Sequence, residues 1–217
     1  MAYVIGDIAG EFKALKALIE QFPKNEEIIL VGDMIDRGKQ SNRVIEWAMN
    51  ADNVRALKGN HEHMMLDFHG RAYENQRMPI YDRGIWGYNG GDMTLESYGV
   101  KGVLKEHLDW LEALPLYIDE DGFFISHSSW YKPYSLEKVC DINDRMFIDF
   151  NIIWNREEPV PIENKLQIFG HNSQWGLREF KDDGGKIFAI CLDDSRRKKL
   201  TAYDTKTGKI YQQKYIK

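Results

Sequence analysis

The stretch Ile28-Ile29-Leu30-Val31-Gly32-Asp33-Met34-Ile35-Asp36-Arg37-Gly38 stops an apolar run at a glycine and then sets two carboxylates and a guanidinium close together. The run is short, rich in β-branched residues and bounded by glycine, which favours a strand covered on both faces over a helix. A loop at the carboxyl end of such a strand is where α/β folds place ligands. There Asp33 can aim hard oxygens into a crevice, Asp36 can orient a histidine, and Arg37 offers a planar fork that suits phosphate. The competing reading makes Asp33 and Asp36 turn and cap residues and Arg37 a solvated charge. On this stretch alone the two readings stand level.

Outward from it the pattern repeats. Ala2-Tyr3-Val4-Ile5 reads as a strand ending at Gly6-Asp7-Ile8-Ala9-Gly10, and Phe12, Leu15, Leu18, Ile19 and Phe22 then share one helical face closed by Pro23. After the organising strand, Ser41 or Asn42 can cap a helix through Val44, Ile45 and Ala48. Val54-Arg55-Ala56-Leu57 follows and discharges into Lys58-Gly59-Asn60-His61-Glu62. A β-α-β-α-β series predicts neighbouring parallel strands with their polar loops on one side. Asp7, Asp33 and Asn60 therefore reach a common edge, where their oxygens can hold a divalent cation if nitrogen ligands join them. Phe123-Phe124-Ile125-Ser126-His127 and Leu166-Gln167-Ile168-Phe169-Gly170-His171 are apolar strands that each end in a histidine. His63, His69 and His107 lie in helical patterns and read as solvated or partly packed.

Bulk properties bound the answer without choosing it. The 217 residues and 25.4 kDa suffice for a sizeable core and predict one domain spanning 1–217. A formal net charge of -5 argues against a general electrostatic grip on nucleic acid, although phosphate can still be held locally. Cys140 and Cys191 are far apart and flanked by apolar residues, so free buried thiols are expected rather than a disulfide. Neither a signal peptide nor an apolar run near the ~20 residues of a membrane span is recognisable. The expectation is a cytoplasmic protein with no membrane partner.

In that order, Gly6-Asp7-Ile8-Ala9-Gly10, Gly32 to Gly38, Gly59-Asn60-His61-Glu62, Ser126-His127 and Gly170-His171 resemble the signature of the phosphoprotein phosphatases, within the calcineurin-like metallophosphoesterases. The similarity is closest to the small phage and bacterial serine/threonine phosphatases, where Trp86 to Tyr98, with Asn89-Gly90-Gly91 and Thr94, also has a counterpart. It runs from Val4 to about Tyr211. The resemblance implies an α/β fold of two mixed β-sheets packed as a sandwich with helices outside. It implies two divalent ions about 3.5 Å apart, of the manganese, iron or zinc kind, with Asp33 bridging. Asp7 would serve the first ion, and Asn60, His127 and His171 the second. A hydroxide held between them would attack phosphorus in line. His61 is carried over as the general acid, Asp36 as the carboxylate that orients it, and Arg37 and Arg156 as clamps on the phosphate oxygens. A surface position on a helix after Phe150 is the plain alternative for Arg156. The substrate would be a phosphorylated protein or a small phosphate ester.

Two positions depart from the family pattern. Lys58 stands where arginine is usual, and it offers phosphate a point charge without a bidentate fork. Ala9 stands where the family has a histidine ligand of the first ion, and losing it should weaken that site at least as much as losing an outer-sphere partner, about 10–100-fold. The chain is therefore expected to be an impaired catalyst. Between a natural shift of role and a deliberate change made to retain substrate, the intact remaining motifs favour the second. Two other functions stay open: hydrolysis of dinucleoside polyphosphates, against which Glu62 leans because those enzymes tend to carry aspartate there, and a non-catalytic module that binds phospho-ligands.

The remaining chain is expected to be mostly scaffold. Asp82 to Asp92, dense in glycine around Trp86 and Tyr88, reads either as a mobile loop beside the crevice or as an Ω-loop held by its own tryptophan. Leu104 to Leu114 reads as an amphipathic helix, and hairpins are expected at 117–124 and 200–211.

Overall fold

The computed structural model describes residues 2–74 and 84–216. The short apolar runs become strands β1 (Ala2–Ile5), β2 (Glu27–Leu30), β3 (Val54–Ala56), β4 (Tyr117–Glu120), β5 (Phe123–Ser126), β6 (Leu166–Phe169), β7 (Arg178–Lys181), β8 (Ile187–Cys191), β9 (Lys199–Asp204) and β10 (Ile210–Lys214). They pair as two five-stranded mixed sheets, ordered β10-β9-β1-β2-β3 and β4-β5-β6-β8-β7. The central pairs β1·β2, β2·β3, β5·β6 and β6·β8 are parallel, and the antiparallel strands lie outside them. This is the two-sheet mixed architecture expected from the motifs.

Alternation along the strands explains the layers. Tyr3, Ile5, Ile28 and Leu30 face the helices α1 (Phe12–Ile19), α2 (Ser41–Asn50) and the chain beyond them, packing with Leu15, Leu18, Val44 and Ile45. The residues between them in sequence, Ala2, Val4, Ile29 and Val31, turn inward onto Ile118, Ile125, Ile168, Ile190 and Leu192 of the second sheet. The second sheet's outer face carries Phe124 under Val139, Phe147, Ile152 and Ile153, supplied largely by irregular chain around a short helix α7 (Leu136–Val139). Between α2 and α7 lie α3 (Asn60–Glu74), α4 (Gly84–Trp86), a kinked segment at Gly87–Gly91, α5 (Asp92–Tyr98) and α6 (Lys105–Ala113).

Parallel strands deliver their carboxyl ends to one side, so Asp7, Asp33 and Asn60 leave the first sheet where His127 and His171 leave the second. Both expected hairpins form, and Cys140 and Cys191 are free, the latter buried. Among the described residues no helix is long and apolar enough to cross a membrane.

Three expectations need correction. The glycine-dense stretch is helical from Gly84 onward, with Trp86 buried; Asp82 lies outside the described residues. His107 is buried rather than solvated, held between the Tyr98 hydroxyl at 2.7 Å and Glu46 Oε2 at 3.1 Å. Gln40, not Ser41 or Asn42, occupies the cap position of α2, which frees the Ser41 hydroxyl to accept the Asp36 amide at 3.1 Å.

Because Ile29 lies at the sheet-to-sheet contact and Ile85 is exposed, the two should respond differently to truncation. In urea titration Ile29→Ala should cost about 2–5 kcal/mol, and Ile85→Ala no more than about 0.5 kcal/mol.

Candidate active site

The turns after the strands are held in a backbone conformation that side-chain-bearing residues seldom adopt. Ala9, Asp33, Asp36, Arg37 and His171 have φ of 51°, 49°, 70°, 61° and 64°, each costing on the order of 1–3 kcal/mol unless its surroundings over-determine it. They do. The Asp33 carbonyl accepts the amides of Ile8 at 3.0 Å and Ala9 at 2.9 Å, joining the first turn to the second. The buried Glu62 carboxylate accepts the amides of Asp33 and Met34 at 2.8 Å and of Gly59 at 2.9 Å, joining the second to the third. Burial and then the neighbouring Asp33 push the Glu62 carboxyl up to about 7, against the pull of those amides.

Within this frame two imidazoles are fixed by backbone carbonyls. His127 Nδ1 donates to Val31 O at 3.0 Å, and His171 Nε2 donates to Trp154 O at 3.2 Å. The other nitrogen of each ring is left with its lone pair forward. His127 Nε2 stands 3.0 Å from Asn60 Oδ1 and 3.2 Å from Asp33 Oδ1, and His171 Nδ1 stands 2.9 Å from the same Asn60 oxygen. Acceptors thus face acceptors in a buried cluster. That donor set fits a divalent cation: adjacent ligands about 2.0–2.2 Å from one ion lie about 3 Å from each other, and mixed nitrogen and oxygen donors suit manganese, iron or zinc. Burial first, then the charge of the other imidazole, holds His171 well below the ordinary histidine range; burial also lowers His127. Burial works to raise Asp33, but His127, His61 and His171 together hold it low.

Beside the cluster, at the first turns of α3, sits His61. Its Nδ1 is 2.5 Å from Asp36 Oδ2, its Nε2 is 3.6 Å from Asp33 Oδ2, and Arg37 Nη2 donates to Nε2 at 2.9 Å. The Arg37 contact defines the neutral ring protonated at Nδ1 in this state. Burial disfavours the charged ring, yet Asp33 and the Asp36 bond outweigh it and raise His61 above its ordinary value. Asp36 is itself gripped: Trp86 Nε1 donates to its two oxygens at 3.1 and 3.0 Å, and the Thr94 hydroxyl donates at 2.6 Å.

Arg37 is exposed at the edge of the cluster. Arg156 is also exposed and follows a turn rather than a helix, with its charge felt at His171. Lys58 goes elsewhere: its ammonium donates to the Glu112 carbonyl on α6 at 2.8 Å, so it braces α6 rather than the cluster.

The opposite side of Asp33 is built from oxygen alone. Asp7 Oδ1 accepts the His171 amide at 2.9 Å, and any side-chain carbon at Gly170 would fall 2.1 Å from that oxygen, which is why glycine precedes His171. Burial, then Asp193 and Asp33, raise the Asp7 carboxyl well above its usual range. Asp193, at the end of β8, is raised by burial too. The buried Tyr215 hydroxyl has no hydrogen-bond partner among the described residues; burial and then the charges of Asp193 and Asp7 raise it above its ordinary range. Asp7 and Asp33 are the carboxylates that face this side, and Ala9 adds no nitrogen donor to them.

Sequence reading assigned no role to Trp86 or Thr94, used Glu62 only as a family marker, and passed over Asp193 and Tyr215. Trp86 and Thr94 carried a signal in their family counterpart; the others show themselves only through tertiary placement.

A sandwich of mixed sheets thus sets an acidic and imidazole cluster fit for a cation beside a histidine–aspartate dyad. A family model described as calcineurin-like phosphoesterase matches residues 2–190, and the chain belongs to that family. It is 28% identical over 148 residues to the symmetrical bis(5'-nucleosyl)-tetraphosphatase of Chromobacterium violaceum, covering 66% of this chain and 48% of that one. It is 39% identical over 93 residues to serine/threonine-protein phosphatase 2 of Escherichia coli, covering 42% of this chain and 38% of that one. The matches span about half or less of these curated relatives. In fold it is similar to a metallophosphoesterase from Sphaerobacter thermophilus, with a TM-score of 0.58, 14% identity, and coverage of 100% of this chain and 88% of that one.

Because His127 and His171 are held below the ordinary value of 6.5, protons should compete for their metal-facing nitrogens only under more acid conditions. Calorimetric titration with Zn2+ should give one tight event whose affinity is steady from pH 8 to 6.5 and falls below that. His171→Ala should weaken it by at least about 10-fold. A steep fall already beginning above pH 7 would mean that the imidazoles titrate like free ones.

Proposed function

We propose that this protein is a metal-dependent phosphomonoesterase of the serine/threonine phosphoprotein phosphatase type, weakened by Ala9. One observation carries the reading: the cation cluster and the proton-bearing dyad share one pocket, with His61 Nε2 3.6 Å from Asp33 Oδ2. Asp33, Asn60, His127 and His171 would hold one cation, and Asp7 with Asp33 a second, looser one. Bound cations supply positive charge to the phosphate and an activated water. Arg37 and Arg156 would take phosphate oxygens as charge develops. When Arg37 turns to phosphate it leaves His61 Nε2, which is then free to face the departing oxygen with its Nδ1–H kept on Asp36. A proton source of this kind matters most for a poor leaving group, and a serine or threonine alkoxide is one.

The dinucleoside polyphosphate reading is favoured by a specific observation too, the similarity over 148 residues to a symmetrical bis(5'-nucleosyl)-tetraphosphatase. Glu62 does not separate the two, because its carboxylate is occupied with three backbone amides and not with substrate.

Ala9 already holds the left-handed backbone, in which histidine is better tolerated than most residues. Ala9→His with Mn2+ should raise phosphate release from a phosphoserine peptide by at least about 10-fold over the parent. Faster turnover of diadenosine tetraphosphate than of the peptide would move the assignment to the nucleotide class. Tight phospho-ligand binding without turnover by either form would leave only a receptor.

A further inference from the structure

A carboxylate on a single Cβ–Cγ bond can rotate, and an imidazole that depends on it for orientation inherits that freedom. At Asp36 the freedom is removed. Trp86 Nε1–H bridges both carboxylate oxygens, at 3.1 and 3.0 Å, from one side. The Thr94 hydroxyl closes a ring on Asp36, donating to Oδ1 at 2.6 Å while accepting the Asp36 amide at 2.9 Å, an amide it shares with the Ser41 hydroxyl 3.0 Å away. Oδ2 is thereby left facing His61 Nδ1. Asp36, Trp86 and Thr94 are all buried.

The chain goes to some length to present these two donors. Trp86 ends α4 and Thr94 lies in α5, and the kink between them, with Gly90 at φ 100°, carries the backbone across the indole: a side-chain carbon on Gly91 would come within 2.5 Å of the Trp86 ring. The same kink offers the Gly90 carbonyl to the Arg37 amide at 3.3 Å. An element that needed only to cover the core would have no reason to aim an indole N–H and a hydroxyl at one buried carboxylate.

We infer that Trp86 and Thr94 are positioning residues for His61, fixing the Asp36 carboxylate so that the imidazole keeps Nδ1–H on Asp36 and aims Nε2 at the leaving oxygen. The inference rests on the phosphoesterase reading for its chemistry. Once Arg37 has turned to phosphate, Nε2 takes up a proton from solvent; as water forms its bond to phosphorus and the ester P–O bond breaks, that proton passes to the departing oxygen, the attacking water's own proton goes to solvent, and Nδ1–H does not move. Without the two donors the ring would sample other orientations and tautomers, and the loss would fall on substrates that need the proton.

Two readouts test this, on Thr94→Val, Thr94→Ser and Trp86→Phe. Thr94→Val keeps the shape and removes the hydroxyl, which guards against loss of fold at the larger tryptophan. In 15N-labelled protein without added metal, His61 should show a single Nδ1–H tautomer in the parent and in Thr94→Ser. Thr94→Val and Trp86→Phe should show mixed tautomers. In the Ala9→His background with Mn2+, Thr94→Val should lose about 10–100-fold on an alkyl phosphate, toward the lower end of what general acid catalysis contributes. On p-nitrophenyl phosphate, whose leaving group needs little help, it should lose less than about 3-fold. Thr94→Ser should recover the alkyl activity. Unchanged His61 nitrogen shifts in Thr94→Val would overturn the inference, as would equal losses on the two phosphates. If the Ala9→His protein cleaves no phosphate at all, the functional reading fails while the nitrogen shifts still decide the positioning.

Discussion

Three acceptor atoms, Asn60 Oδ1, His127 Nε2 and His171 Nδ1, are packed together in the protein interior with no donor among them, beside Asp33 Oδ1, which accepts the His61 amide at 3.1 Å. Left to themselves such groups turn away from one another, because buried lone pairs without a hydrogen or a cation are costly. Here they cannot turn. Each ring is tied by its far nitrogen to a carbonyl, and Asp33 is locked by its own amide in the grip of Glu62. The strained turns are what place these atoms, and the cross-bonds between turns keep the strain from relaxing. Cation binding is the relief that this arrangement is built to receive.

The sandwich is what makes such a cluster affordable. One parallel sheet could bring Asp7, Asp33 and Asn60 to an edge, but those are oxygen donors only. The imidazoles come from the second sheet, whose parallel centre β5-β6-β8 sends its ends to the same place. The inward residues Val4, Ile29, Val31, Ile125, Ile168 and Ile190 set the two sheets against each other, so packing far from the cluster fixes the distance between its oxygen and nitrogen halves. His171 shows the coupling directly, since its amide holds Asp7 of the other sheet while its ring faces Asn60.

Much of this was legible in the sequence because strand, glycine and charged residue follow one another at each strand end, and parallel β-α-β order converts that repetition into convergence. Asp7, Asp33, Asn60, His127 and His171 could be read for this reason. What escaped did so for physical reasons. Gly84, Gly87, Gly90 and Gly91 suggested a loop, yet at Gly91 the absence of a side chain makes room for the Trp86 ring. Glu62 was read for kinship because nothing local says whether a carboxylate faces substrate or backbone. Lys58 sits inside a motif and still points to α6, since a long flexible side chain is directed by its nearest buried acceptor and not by its neighbours in sequence.

The two sides of Asp33 are unequal, and at position 9 the roles of main chain and side chain separate. Ala9 keeps the left-handed backbone, donates its amide to the Asp33 carbonyl and accepts the amide of Gly38 at 2.9 Å. Those bonds belong to the main chain and are indifferent to the side chain, so the turn stands whether or not an imidazole grows from it. What changes is the chemistry in the space beside it. Asp7 and Asp193 are buried there with the Tyr215 hydroxyl, and no nitrogen donor or fixed positive charge is set among them by Ala9. On the other side two imidazole nitrogens stand beside the Asp33 carboxylate. Asp33 therefore has two imidazole nitrogens and an amide oxygen beside it toward Asn60, and only oxygen groups toward Asp7.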